Sequence, residues 1–283
     1  MRNRDWRRAL LPGIGLTASL FLSGDAGGED LCAALGMGSN TGAIHTALAS
    51  ALKKVAPDKA GNGGLGNQMW ATVVDQDGKV CAVAFSGSTR ISQWPGSRVI
   101  SAQKANTAAS FNLPAGAGGT VDALSTANLW TQTQPGGSLF GLQFSNPVDP
   151  AVAYGNRGPG GGDATKYGTS QDPLVGQFVG GVNVFGGGLG LYDAAGKKVG
   201  AVGVSGDTSC ADHNIAWKLR HTVGLDKLTT GKVRGLSPPP RQDNIIYDVD
   251  SADKHHAVNS SKSGFGHPMC GFKEESAELP PTQ

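Results

Sequence analysis

The chain has 283 residues, a formal net charge of +2 and only 16% charged residues, and it lacks any basic cluster with interleaved aromatics, which argues against a nucleic-acid partner. With 44 Gly and 15 Pro spread over long polar tracts, the composition points to one compact domain with loose appendages.

The first residues set Arg2, Arg4, Arg7 and Arg8 ahead of an apolar run from residue 9 to residue 22, the layout of an export signal over residues 1–26. That run is short for a bilayer span, so no membrane span is expected once the signal is removed. The Arg7-Arg8 pair suits either the general or the twin-arginine route. Export would place Cys32, Cys81, Cys210 and Cys270 in an oxidising periplasmic or secreted setting, where one or two disulfides are reasonable. Three full pairings are possible, and the spacing selects none. The absence of C-x-x-C argues against a redox dithiol, a zinc ribbon and covalently attached c-type haem.

Ser39, Asn40 or Thr41 can cap a helix in which Ile44, Leu48, Ala51, Leu52 and Val55 recur at helical spacing until Pro57 stops it. His45 beside this stripe reads as a helix-surface imidazole. After a flexible joint at 61–68, residues 69–75 and 80–86 are two β-rich runs joined through Asp77-Gly78. Both parities are apolar, so this sheet needs cover on both faces, from a helix layer on one side and a partner subunit or the long loops on the other.

A polar loop with Arg90 and Trp94 leads into a helix over 97–111, whose Ala102, Ala105, Ala108 and Ala109 form a surface that another backbone or a flat ligand can approach. Lys104 and Thr107, three residues apart, share a side of that helix. A short helix is expected over 121–130, followed by an irregular insertion at 131–177, long enough to be a lid, a binding loop or disordered. Residues 178–184 read as a third strand in which Gly180 and Gly181 mark close approach of a ligand or another backbone. A second hairpin turns at 193–197.

Ser205, at a strand-to-helix turn, lacks the last glycine of a nucleophile elbow and is a weak nucleophile candidate. In the final helix Ala211, Ile215, Leu219 and Val223 form a core ladder, and His213, Trp217 and His221 a second ladder about 200° away. The second ladder is expected to face water, a neighbouring subunit or a ligand. Neutral imidazole ligates haem iron well, which makes His213 the candidate metal ligand and Trp217 its neighbour in a pocket; two solvent-facing histidines are the plain alternative. Residues 225–283, with Pro238-Pro239-Pro240, read as a mostly disordered polar tail apart from Ile245-Ile246-Tyr247 and whatever Cys270 anchors.

The run from Trp70 to Phe85, the stretch Lys104-Ala105-Asn106-Thr107-Ala108, then Gly180-Gly181-Val182, the segment 193–206 and Asp212-His213-Asn214-Ile215-Ala216 occur in the order seen in the GlcG/HbpS-like haem-binding family. The chain resembles that family over residues 41–224 and is similar to the C-terminal domain of PduO-type proteins. The resemblance implies an α+β, profilin-like fold with about five antiparallel strands flanked by helices, and assembly into homo-oligomers. It also implies non-covalent haem binding, with Lys104, Thr107, Gly180 and Gly181 carried over as candidate pocket residues beside His213 and Trp217. The chain departs from the family in having His213 where members commonly carry an acidic residue, and in its long insertion. The expected function is that of an exported protein that stores, senses or passes on haem. The alternatives are a small-molecule or haem-degrading enzyme, with Lys104, Arg90 or Asp207 supplying charge, and an accessory subunit of a periplasmic redox partner.

Overall fold

The computed structural model describes residues 31–111, 121–155, 162–228, 233–252 and 260–283, and the expected export signal lies outside them. Helix α1 (Thr41–Val55) starts where the Asn40 side chain accepts the Ala43 N–H at 3.0 Å, and it buries Ile44, Leu48 and Leu52. The short α2 (Lys59–Asn62) follows. Strands β1 (Trp70–Asp75) and β2 (Val80–Phe85) form the expected hairpin, and α3 (Gly96–Ser110) comes next. The stretch expected as a third helix instead holds a short strand, β3 (Val121–Ala123), and a 3-10 turn at Thr126–Leu129. The long insertion carries α4 (Leu142–Ser145) and α5 (Pro150–Tyr154). Strands β4 (Gly188–Tyr192) and β5 (Lys198–Ser205), helix α6 (Ser209–Thr222) and β6 (Val233–Gly235) complete the order.

The fold is α+β, and its main sheet is antiparallel in the order β2-β1-β5-β4. It has four strands where about five were expected. Residues 178–184 join no sheet; Gly180 and Gly181 stand at φ +66° and +77°, and a left-handed backbone breaks the extended path. What remains there is a pair of isolated bridges, Lys79 to Phe178 and Val148 to Gly180.

Both faces of the sheet are covered, and both by helices of this chain. Ala71, Val73, Ala82 and Val202 pack on one side with Leu48 and Leu52 of α1 and Ile215 and Trp217 of α6. Trp70, Val83 and Ala201 pack on the other with Val99, Ala102 and Ala105 of α3, joined by Ala153 and Leu174 of the insertion. The small residues of α3 therefore admit a strand backbone. A Cβ at Gly203 would lie 2.0 Å from the Ser101 carbonyl oxygen, so β5 and α3 touch through a missing side chain.

The insertion docks on α3 through a buried ion pair. Arg98 Nε donates to Asp172 Oδ2 at 2.8 Å, Arg98 Nη1 donates to the Ala153 carbonyl at 3.0 Å, and the guanidinium carbon lies 3.9 Å from the centroid of the Tyr167 ring. The disulfides are Cys32–Cys81, which ties the N-terminal segment to β2, and Cys210–Cys270, which ties α6 to the C-terminal segment.

That C-terminal segment is not the loose tail its composition suggests. Arg220 of α6 meets Asp243 bidentately, with Nη1 to Oδ2 at 2.5 Å and Nη2 to Oδ1 at 2.8 Å, and Trp217 Nε1 donates to the Pro280 carbonyl at 2.8 Å. Specific polar partners on α6 order a segment whose apolar content alone would not. Replacing Asp172 by Ala leaves the Arg98 guanidinium buried without its counter-charge and is expected to cost about 3–5 kcal/mol, measured as a lowered urea midpoint at unchanged slope.

Candidate functional site

Helix α3, the 178–188 connection and α6 bring together the residues singled out from the sequence. Lys104 Nζ donates to Asp212 Oδ2 at 2.7 Å and to the Val204 carbonyl at 3.1 Å, with both side chains buried. Asp212 Oδ1 accepts the Asp207 N–H at 2.9 Å, so this carboxylate joins α3, the end of β5 and the start of α6. Burial pushes Asp212 up to about 6, with the Lys104 ammonium pulling the other way. Thr107 Oγ1 donates to the Gln103 carbonyl and accepts the Asn183 N–H at 3.0 Å. Gly181 packs on Val148 and Gln103, whereas a Cβ at Gly180 would meet nothing within 4 Å. Lys104 and Thr107 thus form a sealed polar seam that holds α3, and neither presents a free group to a flat ligand.

The orientation expected for His213 and Trp217 is corrected. Trp217 packs into the core on the α1 side of the sheet, and the C-terminal segment lies over both residues, leaving them 0% and 1% exposed. The Ile245 N–H donates to His213 Nε2 at 3.2 Å, and the Asn244 Oδ1 stands 3.1 Å from the same nitrogen. With Nε2 accepting, the proton sits on Nδ1, which is buried without a partner among the described residues. An iron ligand needs an unprotonated nitrogen with open space before it, and His213 offers none while this segment stays in place.

His221, third member of the same ladder, is placed differently. Helix α6 ends in a Schellman turn: Gly224, at φ +73°, donates its N–H to the His221 carbonyl, and Leu225 donates to the Arg220 carbonyl at 3.2 Å. The reversal carries Asp226 back onto its own helix, where Oδ2 lies 2.7 Å from His221 Nδ1. Asp226 is buried while the His221 side chain is 31% exposed, and Nε2 has no hydrogen bond among the described residues. The residues lining a groove of about 570 Å³ include Lys54, Val55, Lys218, His221 and Pro280 together with the acidic Asp58 and Glu278. Lys218 Nζ also donates to the Gly61 carbonyl and to Asn62 Oδ1, at 2.7 and 2.9 Å.

Haem asks for an iron-facing nitrogen, apolar contact for the ring and cations for its carboxylates. The groove at His221 offers that nitrogen, Val55 and Pro280 as apolar contact and Lys54 as a cation, while Lys218 is already paired with Asp58 at 3.3 Å. A carboxylate behind Nδ1 is the arrangement that fixes the ring and directs Nε2 outward in metal-binding histidines. Neither Asp226 nor the glycine turn that delivers it was singled out from the sequence; Gly224 just past a patterned helix was the available signal.

Of the remaining candidates, Arg90 is exposed in the loop before α3, and the other two are structural. Asp207 accepts the N–H groups of Leu65 and Asn67 at 2.8 and 2.9 Å, and Ser205 is buried in the sheet. Among the described residues no helix is long and apolar enough to cross a membrane.

Burial also depresses two imidazoles: His213 to about 3, against the pull of Asp243, and His267 to about 4, against its hydrogen bond to the Pro268 carbonyl. Both stay neutral in the folded chain while the unfolded chain takes up protons near pH 6.5, so stability present above that pH is lost as pH falls toward 4 and below. Asp212 acts in the opposite sense, because its raised value favours the folded state at low pH. The measurement is therefore a comparison: urea unfolding between pH 7 and 4 should show a shallower loss for His213→Gln than for the native chain, by up to about 1.4 kcal/mol per pH unit.

Three of the solved structures similar to this chain illustrate the likeness. A Klebsiella pneumoniae protein, ORFY, is 23% identical over 63% of this chain and 86% of its own, with a TM-score of 0.38. The PduOC:haem complex is 20% identical over 61% of this chain and 89% of its own, with a TM-score of 0.37. A double mutant of Streptomyces reticuli HbpS is 16% identical over 77% of this chain and 97% of its own, with a TM-score of 0.34. No curated protein matches the chain. A family model described as haem-degrading protein HbpS-like matches residues 43–219, more than half of the chain, and the protein belongs to the HbpS-like family.

Proposed function

We propose that this protein binds haem non-covalently, with His221 Nε2 as the nitrogen donor to iron, and that it stores, senses or hands on the cofactor outside the cytoplasm. The observation that carries the reading is the His221–Asp226 contact at 2.7 Å beside a groove of about 570 Å³, in a chain of an HbpS-like family. Asp226 holds the imidazole ring in place; Lys54 supplies a cationic partner for a carboxylate; Val55 and Pro280 supply apolar contact. Bound haem supplies a redox-active iron and a visible spectrum. Lys104, Thr107, His213 and Trp217 are its support: their contacts fix α3 and α6 and so the position of His221.

Export is supported by the arginine-led apolar run at residues 1–26 and by two disulfides that suit an oxidising compartment. Assembly into a homo-oligomer, or docking on a periplasmic redox partner, is supported by exposed Ile91, Trp94, Phe140 and Phe144. A second reading, haem breakdown, is favoured by the description of the family.

Hemin titrated into the full chain should give a Soret band that saturates near one haem per chain. Asp226→Asn should weaken binding about 10–100-fold, and His221→Ala should remove the nitrogen-ligated spectrum. No spectral change at near-stoichiometric hemin would sink the reading. A band that survives His221→Ala and is lost in His213→Ala would move the ligand beneath the C-terminal segment. Loss of the Soret band with reductant and oxygen present would favour breakdown over carriage.

A further inference from the structure

Ligand-type side chains gather where the C-terminal segment is tied to α6. One atom each of Cys210, Cys270 and His267 lies within 4.8 Å of the others. His267 is the informative member. It is 2% exposed, and its Nδ1 lies 2.7 Å from the Pro268 carbonyl oxygen. A carbonyl only accepts, so Nδ1 carries the proton and donates it. Nε2 is then a bare lone pair, buried and without a partner among the described residues. A carbonyl holding one ring nitrogen so that the other can bind a cation is the usual arrangement behind metal-ligating histidines.

The sulfurs are prepared in the same sense. Cys210 lies in the first turn of the 14-residue α6, and its N–H donates to Cys270 Sγ at 3.3 Å, with Ser209 Oγ 3.5 Å from the same atom. Amide donors at a helix N-terminus favour a thiolate once the bond between the sulfurs is broken. Cys270 is half-buried and its neighbour Met269 is exposed, which gives a reductant access. The other such trio, Cys32, Cys81 and Asp75, has no imidazole: its third member is a carboxylate whose Oδ1 accepts the N–H groups of Asp77 and Lys79.

We propose that Cys210, Cys270 and His267 form a redox-controlled binding site for a thiophilic divalent cation of the zinc type, closed while the sulfurs are bonded to each other and opened by reduction. A dithiol reductant opens it by thiol–disulfide exchange. The Cys210–Cys270 bond breaks, a new S–S bond closes within the reductant, and two electrons and two protons pass to the cysteines. The cation displaces those two protons to solvent and takes two thiolates and the neutral imidazole, with water in the fourth tetrahedral position. The site is independent of the groove at His221, and it makes the fastening of the C-terminal segment over α6 responsive to redox state.

The test uses the full chain, reduced with excess dithiol, desalted without oxygen and given Zn²⁺ alone. The expected result is one tightly held zinc per chain, none in the oxidised protein, loss of binding in Cys210→Ser, and at least about tenfold weaker binding in His267→Ala. Co²⁺ in place of Zn²⁺ should give the intense visible bands of a tetrahedral thiolate site, and His267→Ala should shift them. The proposal is overturned if the reduced chain holds no zinc, or if His267→Ala binds as tightly. It is equally overturned if Cys81→Ser rather than Cys210→Ser abolishes binding. A loss of helical circular dichroism on reduction alone, not restored by Zn²⁺, would overturn it too, because the site needs α6 and residues 267–270 to stay apposed.

Discussion

The buried ion pair between Arg220 and Asp243 governs how this protein presents its last helix. Both side chains are fully buried, Arg220 also donates to the Gly190 carbonyl at 3.1 Å, and its guanidinium carbon lies 4.7 Å from the centroid of the Trp217 ring. A buried guanidinium cannot be left without its carboxylate, so the segment bearing Asp243 is bound to α6 whatever its own hydrophobic content. Asn244 and Ile245 follow directly and land on His213. The net contribution of such a pair to stability against an apolar replacement is small; what it supplies is position.

Position then decides chemistry. By closing over His213 and Trp217, the C-terminal segment turns two members of the α6 ladder into core residues and leaves the third at the helix end. There the glycine turn returns Asp226 to His221, and a surface imidazole becomes an oriented one.

The other side of the sheet follows a different logic. Alanines on α3, with Gly203 on β5 and Gly188 on β4, allow helix and strand backbones to meet, and polar groups fasten the layers once they are close. Lys104 reaches Asp212, and Lys198 Nζ donates to the Ala108 and Ala109 carbonyls at the end of α3, at 2.9 and 2.7 Å. Burial lowers Lys198 to about 8. The small-residue surface is thus occupied from within the chain, which is why the residues matched to a pocket are found in a seam.

The pattern of residues by itself determined the helix carrying Ile44 to Val55 and ended by Pro57, both hairpins, the helix over 97–111, the core ladder of α6, and a sheet in need of cover on both faces, because periodicity records which faces are apolar. It was silent on the partners of isolated polar residues. Asp212, Asp226 and Asp243 lie 108, 5 and 23 positions from the groups they bind, and a charge in a sequence does not announce its counter-charge. Only the tertiary structure decided that 178–184 bends at two glycines instead of forming a strand, which cysteines pair, and that a proline-rich segment is held in place. Lys104, Thr107, His213 and Trp217 all lie on helices, and a helical wheel gives the direction of a side chain but not what another part of the chain lays over it.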